Sequence, residues 1–148
     1  MLSYKRSATV TFYILCGCTA VFAALIVGAP FIMPFLEKLG HGTETEYAVF
    51  LMAFYLCSVP ATAVIISLFK LLGNIRGDRL FIKQNVKLLN IISYSCFAVV
   101  PICFAAGFWF ITLFAVSAAA LFFGFTVRII MHAFEYAAEI KEENELTV

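Results

Sequence analysis

No Asp, Glu, Lys, Arg or His occurs over residues 88–127, a stretch of 40 residues, and 7–36 (30 residues) and 47–69 (23 residues) lack them as well. An ionisable group at a bilayer centre costs about 2.5–3.5 kcal/mol on insertion scales. Ion-coupled transporters, proton relays and voltage sensors carry that cost because the group performs their work. Its absence argues against those mechanisms, including a small four-helix proton-driven exporter, which needs a carboxylate in a span.

Motifs for catalysis and cofactor binding are missing too. There is no phosphate-cradling glycine loop, no zinc-protease histidine pair on a helix and no nucleophile elbow. The two histidines, His41 and His132, lie outside the uncharged stretches, where neither is placed for intramembrane haem. His41, near Glu44 and Glu46, reads as part of a solvated polar loop rather than a metal site. No cofactor is expected, and an enzyme would have no nucleophile, base or metal site to stand on.

A disulfide framework is excluded as well. The five cysteines, Cys16, Cys18, Cys57, Cys96 and Cys103, are odd in number and all fall in uncharged stretches. Cys16 and Cys18 are two apart and point in different directions on a helix, unlike a two-cysteine metal arm. Cys96 and Cys103, seven apart, share a helix face, and the expected role of these residues is that of small packing side chains.

What the chain does contain is apolar. Hydrophobic residues make up 64%, charged residues 13%, and the mean hydropathy is +1.01, whereas soluble domains are about 25% charged. At about 1.5 Å per residue the longest stretch extends roughly 60 Å, twice the roughly 30 Å hydrocarbon core, so it crosses and returns. Four spans follow, near residues 9–32, 47–69, 88–106 and 109–127, and 148 residues leave no room for a separate soluble domain. The expected fold is all-α: an integral membrane four-helix bundle in one domain. The apolar stretch after Lys5 and Arg6 is too long for a signal-peptide core, and Pro30 would follow the cleavage site directly, so it reads as an uncleaved first span.

Charge distribution sets the expected orientation. Lys5, Arg6, Lys70, Arg76, Arg79, Lys83, Lys87, Arg128 and Lys141 lie on one side of the four spans and only Lys38 on the other. By the positive-inside rule both termini, the 70–87 loop and the 128–148 tail are cytoplasmic, making a multi-pass cell-membrane protein. The connection over 37–46 and a tight turn near Gly107 then face outward.

Proline, glycine and alanine mark the helices. Gly28, Pro30 and Pro34 crowd the end of the first span, where a kink or stop is expected. Pro60 and Pro101 lie inside the second and third spans, as packing bends or mobile kinks. Small residues at four-residue spacing, Ala20, Ala24 and Gly28 in the first span and Ala120 and Gly124 in the fourth, are candidates for close helix packing, within the bundle or between copies in a homo-oligomer.

Polar chemistry concentrates on the cytoplasmic side. Arg79, Lys83 and Lys87, four apart, form a basic ridge beside apolar residues that include Phe81. The ridge serves topology and lipid anchoring, or a docking surface for a partner. Past Arg128 the last helix is expected to continue, with Ile129, Ala133, Ala137 and Ile140 as an apolar stripe and Glu135, Glu139, Glu142 and Glu143 as an acidic face. That face is either a solvated helix end or a surface that closes on the basic loop through contacts screened by salt. Candidate docking residues are Arg79, Phe81, Lys83, Asn85, Lys87, Glu139, Glu143 and Asn144.

These segments also carry a resemblance. The stretch from Gly77 through Asp78, Arg79, Leu80, Phe81, Ile82, Lys83, Gln84 and Asn85 to Lys87, Leu88 and Leu89, and the ending from Arg128 through Phe134 to Glu142, Glu143, Asn144, Glu145, Leu146, Thr147 and Val148, resemble the YoaS-like family of small four-span bacterial membrane proteins. Gly77, Phe81 and Asn85 match its loop motif; Glu143, Asn144, Leu146 and Thr147 match its tail. Gln84 stands where the motif often has an acidic residue. The family is a domain of unknown function, so no catalytic residue is implied. The resemblance does imply a bacterial inner membrane and genomic company, since such proteins are often encoded beside a small helix-turn-helix regulator. Three classes stay open: a regulatory or sequestering membrane partner of a cytosolic transcription regulator, without direct nucleic-acid binding; a small transporter, channel or antimicrobial-immunity protein; and a membrane enzyme.

Overall fold

The structure, a computed structural model, describes residues 2–38, 43–77 and 82–146, with side chains over 9–32, 35, 43–77 and 82–143. The described residues form four helices: α1 (Leu2–Lys38), α2 (Glu44–Arg76), α3 (Lys83–Ala106) and α4 (Thr112–Leu146). All four are long and apolar enough to cross a membrane. The helices run beyond the uncharged stretches because helix geometry is indifferent to where charge begins, and the excess length lies outside the hydrocarbon core or is taken up by tilt.

Local chemistry sets several of the ends. Thr43 caps α2 by accepting from the Glu46 backbone N–H at 3.4 Å, while Glu46 Oε2 accepts from the Thr43 N–H at 2.9 Å. That reciprocal pair satisfies two otherwise orphaned donors. At the same end of the bundle α3 stops at Gly107, whose N–H donates to Cys103 and Phe104 carbonyls at 2.9 and 3.2 Å. A Cβ on Gly107 would lie 3.0 Å from the Phe114 ring. Here glycine is required by close approach. The rings of Phe104, Phe108 and Phe114 pack edge-on around the turn at 5.3–5.8 Å.

Of the kink or stop expected near Gly28, Pro30 and Pro34, the stop is not found: α1 runs through all three. Pro30 has no N–H, so the Ile26 carbonyl one turn earlier loses its helical donor. The Tyr55 hydroxyl on α2 replaces it, donating to Ile26 O at 3.1 Å. A neighbouring helix thus repairs the break and lets α1 continue.

Successive helices are antiparallel and pack in chain order. Arg76 meets Thr9, Asn74 meets Asn85, and Ser93 and Ser117 meet Gly124 and Val100. Among the described residues α1 makes no close backbone approach to α3 or α4, nor α2 to α4. Helix α3 is therefore the centre of the bundle and holds most of the buried side chains: Asn85, Leu88, Leu89, Ile92, Ser93, Ser95, Cys103 and Ala106.

The α3–α4 seam is the best-defined interface. Ser117, Gly124, Met131 and Ala138 are buried at seven-residue intervals, with Ala120, Val127 and Phe134 half-buried between them. A 3.5-residue apolar period keeps one seam facing a partner helix. Ser93 Oγ donates to Gly124 O at 3.0 Å and Ser117 Oγ to Val100 O at 3.1 Å, one bond in each direction across the seam. Gly124 admits the Phe97 ring so closely that a Cβ would sit 2.9 Å from it.

Candidate functional site at the charged end

The start of α1, the end of α2, the start of α3 and the end of α4 share one end of the bundle, and the site is built there from the first turns of α3 and the last turns of α4. The α4 seam continues past Arg128 and carries Ala138 against α3, so the extension lies along the neighbouring helix. Its inward face is not the one expected from sequence. Ile129, Ala133 and Ile140 are exposed and Ala137 is half-buried, while Met131 and Ala138 are buried. Apolar residues nearly surround this part of the helix, so the register fixed upstream by Ser117 and Gly124 selects the buried side.

Antiparallel packing then sets acidic residues of α4 opposite basic residues of α3. Lys83 Nζ reaches Glu142 Oε2 at 2.8 Å and Oε1 at 3.2 Å, with the two side chains 74% and 55% exposed. The hydrogen bond and charge of Glu142, with help from Glu139, hold the Lys83 ammonium above its ordinary pKa. A notch of about 240 Å³ opens beside this pair, lined by Lys83, Val86, Lys87, Glu135, Ala138 and Glu139. His132 Nδ1 lies 3.2 Å from Glu135 Oε2. The acidic face and basic helix start are thus in contact. An exposed pair of this kind is weak and screened by salt, so it can exchange for a charged partner.

The sequence candidates divide. Lys83, Lys87, Glu139 and Glu143 are exposed at this end. Asn85 is not: it is 0% exposed, and its Oδ1 accepts from Asn74 Nδ2 at 2.7 Å, which ties α3 to α2. This corrects its placement on a docking surface, because the three-residue step from Ile82 turns it toward α2. Arg79 and Phe81 lie outside the described residues, as does His41, and Asn144 is described only as backbone of α4. Among the packing candidates, Gly124 is buried and Ala120 half-buried in the α4 seam; Gly28 is half-buried, and Ala20 and Ala24 are exposed in the single chain.

Two arginines, neither of them among the candidate docking residues, flank the site. Arg76 stacks over Phe12 of α1 at 4.7 Å and donates to Thr9 Oγ1 at 3.1 Å, and Arg128 lies over Tyr94 of α3 at 5.3 Å. Such pairings need a neighbouring helix, so one helix's periodicity does not announce them. The cysteines show a second juxtaposition. Cys57 of α2 and Cys103 of α3 bring their sulfurs to 3.8 Å, although sequence spacing grouped Cys103 with Cys96. Among the described residues no cluster of His, Cys, Asp or Glu has the makings of a metal site with three or more ligands.

Comparison with curated proteins and with solved structures found no match. Four membrane-compatible helices and a motif-bearing charged end accord with the one similarity found, which covers nearly the whole sequence: over residues 5–148 the chain belongs to the family described as Protein of unknown function (DUF2975).

Proposed function

We propose that this multi-pass membrane protein is a regulatory partner that holds a cytosolic protein at the bacterial inner membrane through its charged end. The observation that carries the reading is the segregation of chemistry. The apolar stretches contain no Asp, Glu, Lys, Arg or His, while exposed Lys83, Lys87, Glu135, Glu139 and Glu142 gather on two antiparallel helix ends. Nine basic residues against one support a cytoplasmic position for that end. The resemblance to YoaS-like proteins, often encoded beside a helix-turn-helix regulator, suggests the class of partner. The Lys83–Glu142 pair then acts as a competitor that the partner displaces.

The test uses full-length protein in native membranes and the regulator encoded beside its gene. Wild type should retain the regulator, and retention should fall several-fold as salt rises from about 0.05 to about 0.5 M, since the Debye length shortens about threefold. Lys83→Glu with Lys87→Glu should abolish retention while membrane insertion persists. If both behaviours are absent and substitutions at Ala20 and Ala24 remove the cellular phenotype instead, the spans carry the function and the channel or immunity reading replaces this one.

A further inference from the structure

Beyond the charged end, one constellation inside the bundle joins reactive groups to a space. The Cys57 and Cys103 sulfurs stand 3.8 Å apart on facing helices, Cys57 half-buried and Cys103 only 4% exposed. Both line an apolar cleft of about 170 Å³ whose other walls are Phe50, Ala53, Phe54, Leu113 and Val116. Phe50 and Phe54 stack nearly parallel, 11° apart, with ring centroids at 6.5 Å. An enclosed apolar cavity of about 150 Å³ holds one benzene ring, so this cleft is of a size to take a single six-membered ring from the lipid side. Its walls offer such a ring no charged group, and the two thiols are its only redox-active side chains.

We propose that Cys57 and Cys103 form an intramembrane dithiol that a lipid-soluble quinone, its ring in this cleft, oxidises to a cross-helix disulfide. Two S–H bonds break and one S–S bond forms; two electrons and two protons pass to the quinone, whose carbonyl oxygens become the hydroxyls of a quinol. A bonded sulfur pair stands about 2 Å apart, so the two sulfurs, now at 3.8 Å, draw together when the bond forms. The bond staples α2 to α3 on the far side of the bundle from the Asn74–Asn85 tie. A quinone suits the site on two counts. It is delivered through lipid, and its flat ring and two carbonyl acceptors need no ionised residue to receive the thiol protons. This inference is independent of the docking reading.

The test counts free thiols in the full-length chain in membranes, by mass-tagging after denaturation. Duroquinone is the probe, because its fully substituted ring does not arylate thiols. The wild-type chain should go from five taggable cysteines to three, with a Cys57–Cys103 peptide link by mass spectrometry. Cys57→Ser should keep all four of its thiols. Ala53→Phe, which fills the cleft, should slow oxidation by duroquinone about tenfold or more, because the ring can no longer lie against the two sulfurs. It should leave oxidation by molecular iodine, a two-atom oxidant far smaller than the quinone ring, unchanged, which also reports that the helices are in place. If Ala53→Phe fails to insert, Val116→Phe fills the same cleft from α4. A chain that keeps five free thiols after duroquinone, a link between other cysteines, or a filled cleft that oxidises at the wild-type rate overturns the proposal.

Discussion

Replacing Asn85 by Ala separates a packing role from a docking role at a position that the family motif singles out. The substitution removes three heavy atoms from a side chain with 0% exposure and takes away the acceptor for Asn74 Nδ2, now at 2.7 Å. Interhelical hydrogen bonds in membranes contribute about 0.6 kcal/mol on average and at most about 1.7. The void adds a term of about 24 cal/mol per Å³, or about 1 kcal/mol for a lost carboxamide that the helices do not close over. Asn85→Ala should therefore cost about 1.5–2.5 kcal/mol. Asn74→Ala should cost less, because Asn74 is only half-buried and lies near the end of its helix. Their coupling in a double-mutant cycle should fall at about 0.6–1.7 kcal/mol. The assay is reversible unfolding of purified protein in mixed micelles, followed by helicity as the denaturing detergent fraction rises. Coupling indistinguishable from zero would refute the tie. An Asn85→Ala chain with wild-type stability that no longer retains a partner would restore Asn85 to the docking surface.

Other substitutions test the remaining joints. Gly124→Ala meets the Phe97 ring at 2.9 Å; overpacking of about 1–3 kcal/mol, offset by about 1 kcal/mol of helix propensity, leaves it about 0–2 kcal/mol less stable in the same unfolding assay, and Gly124→Leu worse. Tyr55→Phe should cost about 0.6 kcal/mol alone but almost nothing beside Pro30→Ala, which returns an N–H to the Ile26 carbonyl; equal costs in both backgrounds would remove the proposed repair. In a chain whose native cysteines are replaced, Gly77→Cys should react with an impermeant thiol reagent only after lysis and Thr45→Cys in intact cells, and the reverse pattern would invert the orientation. The raised Lys83 pKa fixes a sign: the contact with Glu142 is fully present below the ordinary lysine pKa of 10.5 and is lost as pH rises through the higher folded value. Cross-linking between the α3 start and the α4 extension should therefore hold through neutral pH and fall only in strong alkali, while Glu142→Gln should reduce it at every pH.

The four helices could be read from the sequence because lipid imposes a one-dimensional code: length of uncharged chain is length of span. Pairing across helices is not written in that code. Periodicity put Cys96 and Cys103 on one face of α3, yet the neighbour of Cys103 is Cys57, 46 positions earlier on another helix. It likewise assigned a stripe to Ile129, Ala133, Ala137 and Ile140, where apolar residues leave the face undetermined. The register is set by Ser117 and Gly124, whose partners lie on α3. Asn85 reads as a surface residue because its sequence neighbours Gln84 and Lys87 are polar, and only the position of Asn74 shows otherwise.

Lipid also explains why so few polar residues suffice. Apolar side chains gain little by leaving lipid for one another, so van der Waals fit and hydrogen bonds must select the arrangement. Each pair of neighbouring helices has a polar contact toward either end: Arg76–Thr9 and Tyr55–Ile26 for α1–α2, Asn74–Asn85 and Cys57–Cys103 for α2–α3, Ser93–Gly124 and Ser117–Val100 for α3–α4. Two separated contacts fix both register and crossing angle, which one contact leaves free to pivot. Five of the six are hydrogen bonds with an oxygen acceptor, and none of those five changes covalently under physiological conditions. The thiol contact differs, because its two groups can become one bond. Among the described residues, two places stand out where the chemistry can change: the exposed clasp of Lys83 and Glu142 and the facing sulfurs of Cys57 and Cys103. Both involve α3, the helix on which the bundle is centred, so an event at either bears on the same element.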